Sequence, residues 1–264
     1  MGIVHVASLD DPRLEDYRNV PDPELLRRRG VFVAEGRHVV RRLLTESRYT
    51  ARSLLLTPAA ADGLADLSSR LDGVPVFVVS QAAMNAITGF NIHRGCLAIG
   101  ERPPLPPWQS LARDARRLVV LERVSNADNV GGIFRNAAAF GVDAVLLGPS
   151  CTDPLYRKAI RTSMGAALRL PFAAMEDWPL DLHRLKAQGF RLMALTPSAD
   201  ARALDDIDAS TATALLVGHE GTGLSDDALA AADVRVRIPM APGVDSLNVA
   251  TAAAIALYAL SPKP

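Results

Sequence analysis

An arginine stands among small residues in the stretch Ser125–Gly141, SNADNVGGIFRNAAAFG. A helix that packs closely has little use for such a side chain, so Arg135 is a candidate for contact with an anionic ligand. Asn129 and the glycine pair are predicted to form the turn into this helix, and a helical pitch then places Asn129, Gly132 and Asn136 on one side. The dinucleotide fingerprint GxGxxG is absent, which argues against a Rossmann cofactor site.

Two further loops bring polar groups to places where strands are predicted to end. The loop HEGTG carries Glu220 as its one carboxylate, and its glycines allow a ligand to approach the backbone. Ser225 is predicted to cap the helix that follows. The loop IPMAPGVDSLN brings Asp245, Ser246 and Asn248 to an Ala-rich helix, which is predicted to begin near Ser246 with that serine as N-cap. Ligands bind at such strand ends in open α/β sheets.

Basic clusters form a second kind of candidate. Residues 1–117 carry 16 Arg against 13 Asp and Glu, although the whole chain is formally neutral. Arginine pairs bidentately with phosphate, so the clusters are candidates for contact with a nucleic-acid backbone, and solvated helix faces are the alternative. The candidates for such phosphate contacts are Arg37, His38, Arg41, Arg135, Arg157, Lys158 and Arg161. Further basic residues stand at Arg27–Arg29, Arg42 and His93–Arg94.

The composition excludes several classes of protein. Hydrophobic residues make up 49% of the chain and charged residues 22%, which indicates a folded globular protein. No apolar run approaches the length of a membrane span, and the N-terminus turns acidic too early for a signal peptide. Cys96 and Cys151 lie far apart with no CxxC spacing, which favours a reducing, cytoplasmic location. We therefore expect no membrane association and no metal.

The hydrophobic pattern alternates helix and strand along the chain with one break. Residues 1–100 predict a small α/β domain. Residues 101–117 contain four prolines in five residues and predict a semi-rigid linker. Residues 118–264 predict a parallel sheet covered on both faces, because continuous apolar strands alternate with helices there. The predicted strands of this second domain are LVVLE, AVLLG, LPFAA, FRLMAL, ALLVG and VRVRIP.

Local signals also predict particular helix starts. Asp22 is expected to cap a short helix, DPELLRRR, with Pro23 in its first turn. Asp153 is expected to cap a helix that begins at Pro154 and carries three basic residues on neighbouring turns. The stretch AAADGLADLSSRL is expected to form one helix.

In this order, the polar stretches resemble the SpoU/TrmH branch of the SPOUT superfamily, the RNA 2′-O-ribose methyltransferases. The resemblance covers residues 118–264 through the motifs NVGGIFRNAAAFG, LLVGHEGTGLS and IPMAPGVDSLNVATAAAIALY. Residues 1–100, centred on VFVAEGRHVVRRLL, more loosely resemble the ribosomal-protein-like substrate-binding domain of such enzymes. The resemblance implies an α/β-knot domain with a deep trefoil knot formed by Ile238–Leu260, a homodimer with active sites at its interface, and S-adenosylmethionine as the cofactor.

The resemblance also implies roles for individual residues. Arg135 would be the catalytic residue, surrounded by Asn129, Glu220, Ser246 and Asn248. The cofactor pocket would comprise Leu195, Thr196, Gly218, Glu220, Ile238, Met240, Ser246 and Leu247. Backbone groups of Ile238 and Leu247 would hold the adenine.

The expected reaction is S-adenosylmethionine-dependent 2′-O-ribose methylation of RNA, with ribosomal RNA favoured over transfer RNA. Two alternatives belong to other classes. One is a catalytically silent RNA-binding protein with a SPOUT fold, associated with ribosomes. The other is a nucleotide-dependent oxidoreductase on a doubly wound sheet, against which the missing dinucleotide fingerprint weighs.

Overall fold

The computed structural model of the chain describes residues 2–6, 8–18, 21–89, 92, 95–207 and 211–261. The predicted basic pair His93–Arg94 lies outside these residues. No helix in the described ranges is long and apolar enough to cross a membrane.

Twelve strands and ten α-helices are formed by the described residues. The strands are β1 (Ile3–His5), β2 (Val31–Glu35), β3 (Ala51–Leu56), β4 (Val76–Val78), β5 (Cys96–Glu101), β6 (Arg117–Leu121), β7 (Ala144–Leu147), β8 (Phe172–Ala174), β9 (Arg191–Leu195), β10 (Arg202–Ala203), β11 (Thr213–Val217) and β12 (Val234–Arg237). The helices are α1 (Asp22–Glu24), α2 (Arg37–Thr45), α3 (Pro58–Asp62), α4 (Gln81–Thr88), α5 (Trp108–Ala112), α6 (Ala127–Ala139), α7 (Arg157–Thr162), α8 (Leu180–Ala187), α9 (Asp226–Ala231) and α10 (Val249–Ala259). Short 3₁₀ segments lie at Pro12–Tyr17, Ala65–Leu71, Ala166–Leu168 and Leu204–Asp206, and a short π-helical segment follows α1 at Leu25–Arg29.

The chain divides into two compact units. The first unit comprises Met1–Pro104 together with Leu155–Arg169, and the second comprises Leu105–Pro154 together with Leu170–Pro264. The segment that contains α7 therefore belongs to the first unit, although the sequence-based boundary assigns it to the second domain. The boundaries 1–100, 101–117 and 118–264 stay a prediction about functional domains.

The first unit is built on a mixed five-stranded sheet in the order β1-β4-β3-β5-β2. Strands β1, β4 and β3 are parallel, and β5 is antiparallel to both β3 and β2. Helix α2 follows β2 through Gly36, whose φ of 94° suits a residue without a side chain. Val39, Val40 and Leu43 of α2 are buried, as the amphipathic pattern predicts.

The second unit is built on a seven-stranded sheet in the order β10-β12-β9-β11-β6-β7-β8, and all its paired strands are parallel. Six of these strands match the predicted apolar runs, which confirms the predicted parallel-sheet α/β fold. The two-residue edge strand β10 was not predicted, because so short a segment has no recognisable period. The trefoil knot remains an implication of the family resemblance.

The predicted linker 101–117 holds more structure than its prolines suggest. Helix α5 lies within it, directly after Pro107, and β6 begins at Arg117. Trp108 and Ala112 are buried in the core of the second unit. Burial of a large aromatic side chain stabilises this short helix against the core, so the second half of the predicted linker is part of a folded unit.

Two predicted helix caps are wrong. Asp22 is the first residue of α1, and its carboxylate accepts a hydrogen bond from the backbone N–H of Arg157 at 3.1 Å. Asp153 caps no helix, because α7 begins only at Arg157, after Tyr156. Leu155 is buried in the turn before α7. This turn stands where the first turn of the helix was predicted.

The stretch AAADGLADLSSRL does not form one helix. Helix α3 ends at Asp62, Gly63 follows, and a separate 3₁₀ segment runs over Ala65–Leu71. Glycine is unfavourable inside a helix, so the helix breaks there. Leu64 and Leu71, which follow the break, are both buried.

Candidate active site

The three polar stretches meet at one edge of the parallel sheet. They follow the C-terminal ends of β6, β11 and β12, and β9 lies between β12 and β11 in the sheet. Four neighbouring parallel strands therefore end beneath the polar loops. This confirms the expectation that the loops lie at the edge where open α/β sheets bind ligands.

Helix α6, which carries the first polar stretch, begins earlier than predicted. The side chain of Asn126 caps the helix by accepting the backbone N–H of Asp128 at 2.8 Å, so α6 starts at Ala127. Asn129 and the two glycines consequently lie inside its first turns and do not form a turn leading into it. Arg135 lies further along the same helix.

The side of α6 that carries Gly132 and Asn136 packs closely on α10. A Cβ added to Gly132 would lie 2.9 Å from the Cβ of Ala250, so only a glycine allows this approach. The amide nitrogen of Asn136 donates to the carbonyl oxygen of Ala250 at 2.9 Å. These contacts fix α6 relative to the start of α10.

A hydrogen-bonded row of three polar side chains joins the three stretches. Asn129 Nδ2 donates to Glu220 Oε1 at 2.7 Å. Asn248 Nδ2 donates to Asn129 Oδ1 at 2.9 Å. Asn129 is buried, so both ends of its amide are satisfied by residues from other loops. The structure therefore brings together Asn129, Glu220 and Asn248.

The N-cap of α10 is Asn248, and the predicted cap Ser246 is wrong. Asn248 Oδ1 accepts the backbone N–H groups of Ala250 and Thr251 at 3.0 and 3.2 Å. Because this oxygen faces the helix, Asn248 presents its NH₂ group to Asn129, which in turn presents its own NH₂ group to Glu220. Ser246 is exposed in the loop before the helix.

The loop that carries Glu220 is closed tightly on itself. A Cβ added to Gly218 would lie 2.3 Å from the carbonyl carbon of Gly223, a distance that no side chain tolerates. The ring of His219 lies inside the loop, where its Nδ1 accepts the N–H groups of Gly221 and Thr222 at 2.9 and 3.2 Å. The sequence-based site list omits His219.

Glu122 is a second residue that sequence reasoning missed. It directly follows β6, is almost fully buried, and its Oε2 accepts the backbone N–H of Ser225 at 2.8 Å. The hydroxyl of Ser225 accepts the N–H of Ala228, which confirms the predicted cap of α9. Glu122 thus joins the end of the HEGTG loop to the end of β6. The available signal was the glutamate that ends the apolar run LVVLE, since buried carboxylates need a partner.

A cleft of about 280 Å³ opens between these loops. All eight residues predicted to bind a cofactor line it: Leu195, Thr196, Gly218, Glu220, Ile238, Met240, Ser246 and Leu247. Residues that the sequence-based list omits also line it, among them Val217, His219, Asp245 and Val249. Apolar walls with two carboxylates suit a ligand that joins a flat apolar group to a positive charge.

Arg135 is exposed on α6, and within the described residues no hydrogen bond or ion pair holds its guanidinium group. It is not among the residues that line the cleft. A free guanidinium at the surface is available for an anionic partner. The catalytic role of Arg135 stays a prediction.

The basic candidates of α2 and α7 lie together in the first unit. The turn after α7 adjoins α2, because Arg42 donates to the carbonyl oxygen of Met164. His38, Arg41 and Met164 line one shallow surface groove. The predicted track of Arg157, Lys158 and Arg161 therefore continues the basic face of α2 within the first unit.

Several of these basic side chains have carboxylate partners. Arg41 makes a bidentate pair with Asp66, with N–O distances of 2.8 and 2.6 Å. Arg157 and Arg161 lie 3.8 and 3.6 Å from the carboxylate of Glu35. Arg37 and His38, at the start of α2, are exposed. Exposed ion pairs of this kind are weak and exchange readily with other ions.

The described part of the chain holds no group of three or more His, Cys, Asp or Glu side chains arranged to bind a metal ion.

The fold and the cleft define an α/β protein that binds its ligand where neighbouring parallel strands end. Residues 116–258 match the SpoU rRNA Methylase family. A protein of Mycobacterium bovis described as an uncharacterized tRNA/rRNA methyltransferase is 46% identical over 98% of this chain and 91% of its own length. The chain therefore belongs to the SpoU family and is an RNA methyltransferase of that family.

Two further relatives carry more specific descriptions. The 23S rRNA (guanosine(2553)-2′-O)-methyltransferase RlmP of Bacillus subtilis is 27% identical over 97% of this chain and 98% of its own length. The crystal structure of an AdoMet-bound rRNA methyltransferase from Sinorhizobium meliloti has a TM-score of 0.82 at 26% identity, and the match covers 98% of this chain and 97% of that one.

Proposed function

We propose that the protein transfers a methyl group from S-adenosylmethionine to a ribose 2′-hydroxyl of ribosomal RNA. The observation that carries this proposal is the row Asn248–Asn129–Glu220, which lies at a cleft lined by all the residues expected to bind the cofactor. The B. subtilis relative, whose name specifies 2′-O-methylation of 23S rRNA, supports both the reaction and the substrate class.

The cleft fits the chemistry of S-adenosylmethionine. Leu195, Ile238 and Leu247 offer apolar surface for an adenine, and the carboxylates of Glu220 and Asp245 suit a cationic ligand. S-adenosylmethionine supplies a methyl group on a sulfonium sulfur, which a ribose 2′-oxygen can displace in line. The AdoMet-bound relative from S. meliloti supports this choice of cofactor.

The chain's own contribution is positioning and charge. Holding the hydroxyl in line for displacement supplies much of the rate enhancement. Arginine stays protonated, so Arg135 acts as a cation that binds the phosphate beside the target ribose and favours loss of the 2′-hydroxyl proton, with a phosphate oxygen as its acceptor. Direct proton removal by Arg135 is the second version of this step.

The row of amides keeps Glu220 in one orientation beside the cleft. The N-terminus of α10 orients the amide of Asn248, which in turn orients the amide of Asn129. Asn129 therefore presents a donor to Glu220 Oε1. Within the described residues Glu220 Oε2 has no hydrogen-bond partner. This oxygen is left to orient a donor group of the substrate or the cofactor.

The basic face of the first unit is proposed to bind the RNA backbone. Arg37 and His38 are exposed at the start of α2, and Arg161 and Lys158 are exposed on α7. The weak ion pairs on this face can be replaced by phosphates without a large loss of stability.

A homodimer is proposed from the exposed surface of α10. Ile255 and Tyr258 are 38% and 72% exposed on this helix, which is unusual for large apolar side chains. They line a broad cleft with Phe140, whose ring meets that of Tyr258 edge-on at 5.9 Å. A second copy of the chain would cover these groups, and sedimentation of the purified protein tests the association.

Transfer of labelled methyl from S-adenosylmethionine to total RNA tests the proposed reaction. Arg135→Ala should lower labelling about 10²–10³-fold, because removal of one stabilising charge typically costs that much, while cofactor affinity stays within about twofold. Arg135→Lys retains the charge and loses the fork, so wild-type activity of that variant would contradict both versions of the Arg135 step.

The outcomes distinguish the alternatives. Labelled nucleosides that carry 2′-O-methyl groups, together with the size of the labelled RNA, would support the proposal. Tight cofactor binding without labelling of free or ribosome-assembled RNA would favour a catalytically silent RNA-binding protein. Absence of S-adenosylmethionine binding would overturn the proposed function.

A further inference from the structure

The ring of His219 closes the HEGTG loop from within. The backbone N–H of His219 donates to the carbonyl oxygen of Gly223 at 3.1 Å, and the N–H of Gly223 donates back at 2.9 Å. The imidazole adds two more hydrogen bonds, because its Nδ1 accepts the N–H groups of Gly221 and Thr222. Half of the four hydrogen bonds that close this five-residue loop therefore depend on one side-chain nitrogen.

These two hydrogen bonds define the chemical form of the ring. Nδ1 accepts a hydrogen bond only when it carries no proton, so the neutral ring has its proton on Nε2. The ring edge lies against Gly221, where an added Cβ would be 3.4 Å from Cε1 and 3.5 Å from Nδ1. A proton on Nδ1 would face two N–H donors and break both hydrogen bonds.

The residue that this loop presents is Glu220. Its carboxylate accepts the amide of Asn129, and the loop residues His219, Glu220, Gly221 and Gly223 all line the cleft. The position of Glu220 therefore depends on how the loop is closed. In the closed loop Glu220 lies within hydrogen-bond distance of Asn129, and the apparent affinity of a site scales with the fraction of molecules in the binding conformation.

We propose that His219 is a positioning residue, which in its neutral form holds Glu220 and the loop in the binding arrangement and which releases them when the ring is protonated. The structural part of this proposal stands on the loop itself. Its consequence for methyl transfer rests on the proposed function.

The charged groups around the loop come from four parts of the second unit. Glu220 belongs to the loop, Asp245 lines the same cleft from the segment before α10, and Glu122 accepts the N–H of Ser225 where the loop ends. Asp226 and Asp227 follow in the first turn of α9. All are carboxylates, so the matched variant must separate their protonation from that of His219.

Asparagine provides that variant. Its side-chain oxygen can accept a backbone N–H two residues further on, as in an Asx-turn, and it does not titrate. His219→Asn should therefore keep the loop closed at all pH values, whereas His219→Ala removes the acceptor. Histidine ordinarily changes charge between about pH 5 and 8, which sets the range of the experiment.

The first measurement is amide exchange by NMR on the protein without cofactor. At about pH 7.5 the amides of Gly221 and Thr222 should be protected in the wild type and in His219→Asn, and should exchange about tenfold faster in His219→Ala. At about pH 5.5 the wild type, compared with His219→Asn at the same pH, should lose this protection.

The second measurement is calorimetric binding of S-adenosylmethionine at the same two pH values. His219→Ala should bind about tenfold more weakly than the wild type at the higher pH, because loss of two hydrogen bonds lowers the fraction of closed loop. The wild type should weaken on acidification by a similar factor, and His219→Asn should weaken by less than about twofold.

Two results would overturn the proposal. One is equal protection and binding in His219→Ala and the wild type. The other is equal acid sensitivity in His219→Asn and the wild type, which would assign the titration to the carboxylates. If His219→Ala does not fold, as judged by circular dichroism, the comparison of wild type with His219→Asn decides alone. Failure of the wild type to bind S-adenosylmethionine would overturn the proposed function, and amide exchange would still test His219.

Discussion

Arg41 in the first unit and Asn129 in the second are polar residues on helices, yet they have different kinds of partner. Arg41 meets Asp66 in an exposed bidentate ion pair. Asn129 is buried and joins Glu220 and Asn248, which lie 91 and 119 positions away along the chain. Other charged groups of the first unit follow the pattern of Arg41: Arg29 meets Asp16 at 2.9 Å and Glu24 at 3.4 Å.

The two kinds of partner suit two different tasks. An exposed ion pair gains little free energy and can exchange its partner, which suits a surface that meets RNA phosphates. The amide of Asn129 is buried between a donor and an acceptor from other loops, so this row is costly to disturb and it holds one geometry. Rigid geometry is what a site for in-line transfer requires.

The largest effect is expected where the second unit leaves no room for a side chain. In Gly218→Ala the new Cβ would lie 2.3 Å from the carbonyl carbon of Gly223 and 2.4 Å from the nitrogen of Leu224. Both are backbone atoms, so the loop must shift, and we expect the free energy of unfolding to fall by about 2–4 kcal/mol. Urea denaturation measures this loss.

Gly221→Ala is the matched control for Gly218→Ala. Its Cβ would meet only the ring of His219, at an ordinary contact distance of 3.4 Å. The urea midpoint of this variant should stay close to that of the wild type. Equal midpoints for the two variants would show that close backbone approach does not distinguish the two glycines.

Replacement of the central amide should abolish most of the activity. Asn129→Asp puts a second carboxylate where an NH₂ group now donates to Glu220 at 2.7 Å. Like charges at this distance cannot both ionise freely, so we expect methyl transfer to fall about 10²–10³-fold near neutral pH. Labelled methyl transfer to RNA measures the loss.

A double variant, Asn129→Asp with Glu220→Gln, tests whether the hydrogen-bonded geometry alone accounts for the activity. The new amide can donate to the new carboxylate, so cofactor affinity should recover to within about threefold. Activity should stay low, because the carboxylate has moved to α6. Full recovery of activity would mean that Glu220 serves only to hold the loop.

The reactivity of the two cysteines compares how well each unit protects a thiol from a reagent. Burial raises the pKa of Cys96, in the first unit, to about 12. Burial raises the pKa of Cys151, in the second unit, to about 11. Because a reagent must reach the thiol, partly exposed Cys151 should be alkylated faster than buried Cys96 near neutral pH, as followed by mass spectrometry of labelled peptides. Faster labelling of Cys96 would show that the first unit opens more readily.

The smallest effect is expected for the exposed pair of the first unit. The hydrogen bond from Arg41 lowers the pKa of Asp66. A carboxyl group whose pKa is lowered on folding stabilises the fold above its unfolded value, and this stabilisation is lost as the pH falls through the folded value. Asp66→Asn should therefore shift the thermal midpoint by less than about 2 °C at neutral pH and by nothing measurable in acid. A larger shift at neutral pH would show that the first unit also depends on fixed polar geometry.

Local patterns determined most of the second unit. Continuous apolar runs predict its six longer strands and their parallel arrangement, because period and length are encoded within each run. The positions of Glu220 and Asn248 at strand ends follow from the same reasoning. The cap at Ser225 is equally local, since its acceptor and its donor are three residues apart.

Tertiary structure decided what depended on distant partners. Trp108 makes part of a proline-rich linker into a helix by burial in the core, and α7 joins the first unit although its sequence lies between strands of the second. Proline content and periodicity carry no information about either contact.

The site shows the same division. The sequence by itself brought Asn129, Arg135 and Glu220 forward as polar residues beside apolar elements. Only the fold decided that Asn248, and not Ser246, caps α10, because Asn248 alone both accepts from the helix and donates to Asn129. Hydrogen bonds require atoms within about 3 Å, and a linear pattern cannot say which of two neighbouring side chains will find such a partner some hundred residues away.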